Sequence, residues 1–521
     1  MPYVHATVEQ GTLRGIDNAG VVSFLGVPYG ASTAGDDRFR PPRPAEPWDG
    51  VRDALAFGPS APQTDLRLNA TGSLAPLLTL LMPRAGVPTE GGAVDEDCLR
   101  LNVWAPSGRP EGSLPVLVWL HGGGYSYGSG NEMSFNGDVL AAAGDLVVVT
   151  VTHRLGLLGF LDLRELGEPG SANAGLLDIV AALEWVQRNV AVFGGDPARV
   201  TVCGQSGGSG KVAALNTMPR ARDLFARSIM MSGPFGQSHS AADAGALRAR
   251  TMDLAGLSTV DELRAAPVAR LLDAQTAVLR AVAQMSRGDD ARGLELDRAP
   301  GFGPSHDPED LPGDSFGDEA TDGVRGKQLL IGWTTHESSF LMAADPSYRT
   351  GMLPDAASAR VDALADVDGV TYADLAAQFP DEAPHLLLAR RMSRLMFHEP
   401  ARRIAGLAAA KADGVWAYEF RQPTEVLGGL LGATHSLDLA YVFGTVDRIP
   451  LTGRSLDRHR VSRDMMRAWA SFAHTGDPGW KPWASAEAVH SFGTSYGPDL
   501  RLPEDVDMSS PLAGSGPQPR G

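Results

Sequence analysis

The sequence predicts an α/β fold in which a mostly parallel central sheet is flanked by helices. Two observations predict it. Short apolar, β-branched runs end in glycine-rich or polar turns, as buried strands do. Segments with apolar residues at helical spacing separate several of these runs. Strands that alternate with helices favour a parallel sheet with helices on both faces.

The elements follow in chain order. Strands are predicted within 114–124, 145–154, 199–206, 226–233, 327–335 and 415–420. One helix is predicted from Gly175 to the stop at Gly194, and another near 462–476. Segments at about 235–300 and 355–407 are rich in Ala, Leu and Arg, and we predict helical excursions that form a cap. We expect one domain over 1–508 and, because 509–521 lacks apolar content, a disordered tail.

Composition excludes several function classes. The chain has 521 residues, 43% of them hydrophobic, and a net charge of −17, which argues against nucleic acid or an anionic membrane as partner. No apolar run reaches the roughly 20 residues of a membrane helix, and no signal peptide is evident. The two cysteines exclude a disulfide framework and a cysteine-rich metal site. A cytoplasmic enzyme is expected, and the acidic stretch 306–323 is predicted to be a solvated loop.

The stretch "CGQSGGSGKV" (203–212) has two interpretations. A phosphate-binding loop would need glycine at Gln205 and a hydroxyl residue at Val212, and has neither. The pattern G-x-S-x-G instead places Ser206 directly after a predicted strand, where a helix should begin. That context is typical of a nucleophile elbow. The alternative is a glycine-rich turn with a buried serine.

A second glycine-rich motif, "HGGGYSYG" (121–128), follows the predicted strand "VLVWL". Consecutive glycines leave backbone N–H groups unshielded, as an oxyanion hole requires. The predicted donors are the N–H groups of Gly123, Gly124 and Gly207. His121 itself is interpreted as a structural hydrogen-bonding residue. The alternative is a flexible glycine turn.

A serine nucleophile needs a base, and in this chain order an acid precedes the histidine. His435, in the loop "GATHSLDLAYVFG", is the candidate base. Glu337, just beyond a predicted strand, is a candidate acid. The position and spacing of residues in the sequence do not distinguish Glu337 from three other carboxylates, Asp307, Asp310 and Asp345.

These motifs, in this order, resemble the type-B carboxylesterase family of α/β-hydrolases. The resemblance runs over nearly the whole chain, through segments 20–30, 38–63, 95–106, 121–128, 153–161, 172–202, 204–208, 224–233 and 468–478. In that family the triad acid is a glutamate that Glu337 matches in "GWTTHESSF". Four positions depart from the family pattern: Gln205 for a glutamate, Gly207 for an alanine, His336 for an aspartate and Ser338 for a glycine.

The resemblance also implies supporting residues. Ser232 matches a serine that supports the triad from behind. Cys98 matches a cysteine that pairs in extracellular relatives, but Ala61 stands at the partner position, which excludes that disulfide and suits a reducing compartment. Cys203 is interpreted as a packed small hydrophobe. Tyr125 and Trp333 are candidate pocket residues.

The implied activity is serine-dependent hydrolysis of carboxylic esters through an acyl-enzyme, with Ser206, Glu337 and His435 as the triad and no metal or organic cofactor. The expected partner is a small ester with apolar groups, received between segments 66–88 and the chain after Gly233. The alternatives are a carbamate, aryl-amide or thioester hydrolase, and a catalytically silent cholinesterase-like binding protein. The sequence indicates neither the natural substrate nor the oligomeric state.

Overall fold

The structure is a computed structural model that describes residues 2–64, 94–233, 238–285, 301–314, 320–484 and 488–493. The predicted tail 509–521, the rim segment 66–88 and the end of the first helical excursion lie outside the described residues.

The described strands form one sheet. In chain order they are β1 (Tyr3–Val8), β2 (Gly11–Asn18), β3 (Val21–Pro28), β4 (Val51–Asp53), β5 (Arg100–Pro106), β6 (Leu114–Leu120), β7 (Val147–Val151), β8 (Gly195–Gln205), β9 (Arg227–Met231), β10 (Gln328–Thr334), β11 (Gly414–Phe420) and β12 (Val489–Phe492). Their spatial order is β1-β2-β3-β5-β7-β6-β8-β9-β10-β11-β12, with β4 beside β2. The neighbours from β7 to β12 are all parallel, whereas β1, β2, β3, β5 and β7 pair antiparallel.

Helices cover this sheet. They are α1 (Asp138–Gly144), α2 (Gly156–Phe160), α3 (Ala174–Asn189), α4 (Gly207–Thr217), α5 (Ala241–Ala255), α6 (Val260–Ala265), α7 (Val268–Met285), α8 (Ser339–Met342), α9 (Pro346–Arg349), α10 (Pro354–Asp362), α11 (Ala365–Asp368), α12 (Tyr372–Gln378), α13 (Pro384–Ser393), α14 (Glu399–Ala409), α15 (Asp438–Val442) and α16 (Asp457–Thr475). A π-helical turn, Arg394–His398, joins α13 to α14. Within the described residues, no helix is long and apolar enough to cross a membrane.

Strand β6 shows why the sheet is buried on both faces. All of its residues are buried, and alternate side chains point to opposite faces of a strand. Val116 and Val118 join one apolar core, while Leu117 and Trp119 join the other. A near-continuous apolar run is the pattern of a parallel strand with helices on both sides. The prediction of a mostly parallel sheet flanked by helices is confirmed.

The central parallel strands end side by side, at the same end of the sheet. Leu120 at the end of β6 pairs with Gly204 on β8, and Gln205 pairs with Met231 on β9. Met231 in turn pairs with Gly332 on β10. The residues that follow β6, β8, β9 and β10 therefore leave the sheet side by side, at the edge where open α/β sheets bind ligands.

Both segments predicted as helical excursions contain helices: α5, α6 and α7 in the first, and α10 to α14 in the second. The second has a small apolar cluster of its own, formed by Met352, Ala357, Val361, Leu375, Leu387 and Leu388. Packing of amphipathic faces against each other stabilises such short helices more than intrinsic propensity does.

The prediction that 306–323 is a solvated loop is wrong at Asp307 and Asp310, although Glu309 between them is exposed. Asp307 and Asp310 are only 8% and 5% exposed. Asp307 pairs with Arg164 at 2.6 Å, and Asp310 pairs with Arg220 at 2.9 Å. Distant arginines neutralise these charges, and composition alone carries no sign of that pairing.

Candidate active site

Ser206 lies in a sharp turn between β8 and α4. Its backbone has φ 56° and ψ −126°, a conformation that non-glycine residues rarely adopt. The Ser206 N–H donates to the carbonyl of Met231 at 2.9 Å, which fixes the turn against β9. Close packing demands glycine behind it, because a Cβ at Gly208 would lie 2.0 Å from the carbonyl oxygen of Leu120. The half-buried serine therefore sits at the carboxyl edge of the sheet.

The glycine turn after β6 packs directly against this elbow. A Cβ at Gly207 would lie 2.1 Å from the carbonyl oxygen of Gly124. In the described part of the chain, the N–H groups of Gly123, Gly124 and Gly207 have no acceptor. The three predicted donors are thus close together in the fold and are not used by backbone pairing.

Glu337 and His435 come together from two loops that are 98 residues apart. Nδ1 of His435 lies 2.6 Å from Oε2 of Glu337, and Oε1 accepts the N–H of Thr334 at 2.7 Å. Glu337 is fully buried. Burial alone would raise the pKa of this carboxyl, but the charge and hydrogen bond of His435, with Ser232 and the Thr334 N–H, hold the pKa below its usual value. The carboxylate is therefore the ionised partner of the imidazole.

The two loops are tied together by short hydrogen bonds. The Ser339 hydroxyl contacts Oγ1 of Thr434 at 2.8 Å and donates to the Leu431 carbonyl at 2.7 Å. His336, which replaces the usual aspartate, accepts the N–H of Ala433 on Nδ1 at 3.2 Å. Its Nε2 lies 3.4 Å from Glu382, and burial holds the pKa of His336 below its usual value. The histidine at 336 thus links the loops that carry Glu337 and His435.

The contact of His435 Nε2 is a departure from the expected arrangement. In the described residues its hydrogen-bond partner is Nε2 of Gln205, at 3.2 Å, and not the Ser206 hydroxyl. Ser206 and His435 nevertheless flank the same turn, because Gln205 immediately precedes the serine. Catalytic hydrogen bonds are often long or poorly aligned before substrate binds.

The three alternative acids lie in other interactions. Asp307 and Asp310 pair with arginines, and Asp345 caps α9 through the Ser347 N–H at 2.9 Å. Only Glu337, among these four carboxylates, contacts His435.

The remaining candidates have mixed surroundings. The buried Ser232 has φ 48° and helps hold down the pKa of Glu337, although its hydroxyl makes no hydrogen bond of normal geometry within the described residues. Tyr125 is half-buried and meets the Phe160 ring edge-on at 5.2 Å. Trp333 is 1% exposed and stacks on His398 at 5.4 Å, so it is a core residue. His121 is buried, with Nδ1 2.9 Å from the Gly122 carbonyl.

Sequence reasoning missed the aromatic walls around the base. Phe340 stacks on His435 with ring centroids 5.3 Å apart, and Phe397 lies at the same distance with a tilted ring. Both rings are half-buried. Phe340 stands three residues after Glu337, a spacing that could have been noticed. Phe397 comes from the π-helical turn of the second helical excursion, and no local signal marks it.

A buried lysine supports the glycine turn. Lys211 on α4 is fully buried, and its Nζ donates to the carbonyl of His121 at 3.1 Å. Within the described residues no carboxylate pairs with it, and burial lowers the pKa of Lys211 to about 7. The folded protein therefore releases this proton at a lower pH than the unfolded chain does.

This lysine gives a prediction about stability. Between about pH 7 and pH 10 the unfolded chain binds the extra proton, so the free energy of unfolding should rise with pH, by up to about 1.4 kcal/mol per pH unit. From pH 7 to pH 10, the free energy of unfolding of the wild type should therefore rise by about 3 kcal/mol relative to that of Lys211→Met. Urea unfolding at both pH values measures it. Lys411→Met, which removes the partner of Asp322 at 3.0 Å, is the control. Equal differences at both pH values would contradict the buried-lysine assignment.

Comparisons with known proteins identify the family. A sequence model described as the carboxylesterase family matches residues 2–493. The chain belongs to the carboxylesterase family. It is 36% identical to phenmedipham hydrolase of Pseudarthrobacter oxydans over 92% of this chain and 90% of that one. It is 32% identical to para-nitrobenzyl esterase of Bacillus subtilis over 94% and 92% of the two chains. The solved structure of an esterase from Clostridium hathewayi aligns with TM-score 0.76, 30% identity and coverage of 94% and 95%.

Family membership confirms the predicted resemblance and the α/β-hydrolase fold. This carboxylesterase-family protein is a carboxylic ester hydrolase that acts on small esters. The roles of individual residues, and the preferred ester, stay predictions.

Proposed function

We propose that the protein hydrolyses carboxylic esters with Ser206 as nucleophile, His435 as base and Glu337 as the acid that orients it. The contact that carries the proposal is the 2.6 Å pair of His435 Nδ1 and Glu337 Oε2, at the edge of the sheet where the strained Ser206 turn also lies. A serine hydroxyl is a weak nucleophile at neutral pH unless a positioned base removes its proton.

The first step forms an acyl-enzyme. Oγ of Ser206 attacks the ester carbonyl carbon while its proton passes to Nε2 of His435. The carbonyl electrons move onto oxygen, and the negative charge falls among the N–H groups of Gly123, Gly124 and Gly207. One such donor typically contributes about 3 kcal/mol to the transition state. When the tetrahedral intermediate collapses, the C–O bond breaks and the alcohol takes the proton from Nε2.

The second step returns the enzyme. Water enters, His435 removes one of its protons, and the oxygen attacks the acyl carbon. Ser206 then leaves with the proton that the imidazole carried. Throughout, the Glu337 carboxylate accepts the hydrogen bond of Nδ1–H and stabilises the positive charge on the ring. Its pKa, held below the usual value by the contacts described above, keeps it ionised in this role.

Esters with apolar groups are the proposed substrate class. The rings of Phe340 and Phe397 border His435 and are partly exposed. An apolar acyl or alcohol group that lies beside the imidazole would remove this ring surface from water, a gain of about 25 cal/mol per Å². The half-buried Tyr125 is proposed as a wall residue of the pocket, whereas Trp333, which is buried against His398, is not.

An ester series tests the proposal. Turnover of p-nitrophenyl esters from acetate to decanoate should rise to an optimum beyond acetate and show a burst of about one equivalent of p-nitrophenol, the sign of an accumulating acyl-enzyme. The variant Phe397→Ala should shift this optimum to a different chain length. Phe379→Ala, which removes a ring packed against the apolar cluster of the second helical excursion, should not. Absence of turnover across the series would refute the proposed substrate class.

A second candidate is hydrolysis of carbamates, aryl amides or thioesters by the same residues. The 36% identity to a protein named phenmedipham hydrolase favours including phenmedipham in the series. If phenmedipham turns over faster than every simple ester, this candidate replaces the first. If none of these compounds is turned over, the result would indicate a catalytically silent binding protein.

A cytoplasmic location is also proposed, as is the lack of nucleic-acid and membrane partners. Support comes from the two buried free thiols, Cys98 and Cys203, and from the net charge of −17. Cell fractionation with an antibody tests the location.

A further inference from the structure

The carboxamide of Gln205 contacts the imidazole nitrogen that the proposed mechanism uses as the base. Its Nε2 lies 3.2 Å from Nε2 of His435. A carboxamide nitrogen only donates hydrogen bonds, so the ring nitrogen is the acceptor. On the other side of the ring, Nδ1 lies 2.6 Å from the Glu337 carboxylate, which only accepts. The two contacts therefore select the same neutral tautomer of His435.

The Gln205 side chain is held in this position. Gln205 ends β8, pairs with Met231 and is 1% exposed. On the glycine-turn side, a Cβ at Gly122 would lie 3.1 Å from Oε1 of Gln205. The buried carboxamide thus lies between the glycine turn and the imidazole.

We propose that Gln205 is a positioning residue that keeps His435 neutral and aligned until the Ser206 hydroxyl displaces the carboxamide from Nε2. The inference rests on the proposed function, because it needs His435 as the base for Ser206. A donor to Nε2 stabilises the neutral ring, and it loses its acceptor when the ring is protonated. The carboxamide should therefore keep the enzyme active at lower pH than a carboxylate at the same position would.

Other groups around the imidazole are the same in any Gln205 variant. Asp438 on α15 acts electrostatically on His435 and Glu337, and burial raises the pKa of Asp438 to about 7. Among the described residues, the groups that contact the ring or act on its carboxylate partner include Glu337, Asp438, Ser232, Thr334, Phe340, Phe397, His398 and Tyr418. A change in pH dependence between Gln205 variants therefore reports the group at position 205.

The test compares the pH dependence of kcat/KM for one neutral p-nitrophenyl ester in the wild type, Gln205→Met and Gln205→Glu. Methionine keeps the length of the side chain and removes the donor, so the acid limb should move to higher pH by about 0.5 unit. Glutamate adds a negative charge beside the ring, and the limb should move up by about 1 unit or more. The matched control is Gln187→Met on α3, which removes the hydrogen bonds of the Gln187 carboxamide to the carbonyls of Pro197 and Leu224. This variant should leave the acid limb in place.

Two results would overturn the inference: an acid limb that coincides with the wild type in both Gln205 variants, or a limb that moves to lower pH in Gln205→Met. The second would mean that the carboxamide oxygen, and not its nitrogen, faces the ring. If Gln205→Met does not fold, Gln205→Asn withdraws the donor by one methylene and carries the same expectation. Ser206→Ala separates failure of the proposed function from failure of the inference about Gln205. Activity that survives in Ser206→Ala refutes the proposed function, whatever the pH profiles of the Gln205 variants show.

Discussion

Replacing Ser206 with alanine should lower kcat/KM for p-nitrophenyl esters by at least about 10⁴-fold, because no other described hydroxyl lies in the elbow beside Gln205 and His435. In serine hydrolases, loss of the nucleophile costs about as much as loss of the whole triad, and the residual rate comes from binding and the oxyanion hole. Steady-state assays with protein purified free of background esterase measure the loss.

Ser209, on helix α4 directly after the elbow, provides a matched control. It lies three residues after Ser206, is fully buried, and its hydroxyl has no hydrogen-bond partner within the described residues. Ser209→Ala should therefore fold normally and retain activity within about two-fold of the wild type. A buried hydroxyl without a hydrogen bond contributes little to stability. Comparable losses of activity in both variants would mean that the substitutions disturb helix α4. The loss in Ser206→Ala would then not identify Ser206 as the nucleophile.

Replacing Glu337 with glutamine should lower kcat by about 10³- to 10⁴-fold. The carboxamide can turn its NH2 toward Nδ1 of His435, which then has to accept, and the proton moves to the nitrogen that must take the serine proton. Loss of the charge also removes the stabilisation of the imidazolium. His435→Ala should cost at least as much, and Ser206→Ala combined with it should cost little more.

Asp345→Asn is the control for the acid, because the sequence alone left Asp345 open as an alternative. It is a residue that caps α9 and pairs with Arg360 at 2.7 Å, away from His435. Its activity should stay within about two-fold of the wild type. A loss in Asp345→Asn that matches the loss in Glu337→Gln would contradict the assignment of the acid.

The parallel strands β6 to β11 could be predicted from the sequence, whereas the antiparallel strands and the parallel edge strand β12 were not. Strands such as β6 and β7 are buried on both faces, so their apolar runs are evident without knowledge of the partner strand. Strands β1 and β2 alternate buried residues with exposed or half-buried ones, and β4 has three exposed residues. Their pairing with distant segments, and not a local pattern, establishes them as strands.

The candidate site shows the same division. The elbow and the glycine turn are short contiguous motifs, so their residues could be named in advance. The partner of His435 could not be chosen from spacing alone, because Glu337 is 98 residues away and competed with three aspartates. Gln205 was visible as a departure from the family pattern. Its contact with a ring 230 residues later was not.

The most direct test of the account is covalent labelling by diethyl p-nitrophenyl phosphate, which transfers its phosphoryl group to an activated serine. Release of p-nitrophenol should stop at about one equivalent per chain, in step with loss of esterase activity. Mass spectrometry of the digested protein should then place the diethylphosphoryl group on Ser206. Complete inactivation with Ser206 unmodified, or stoichiometric label on another residue, would contradict Ser206 as the nucleophile.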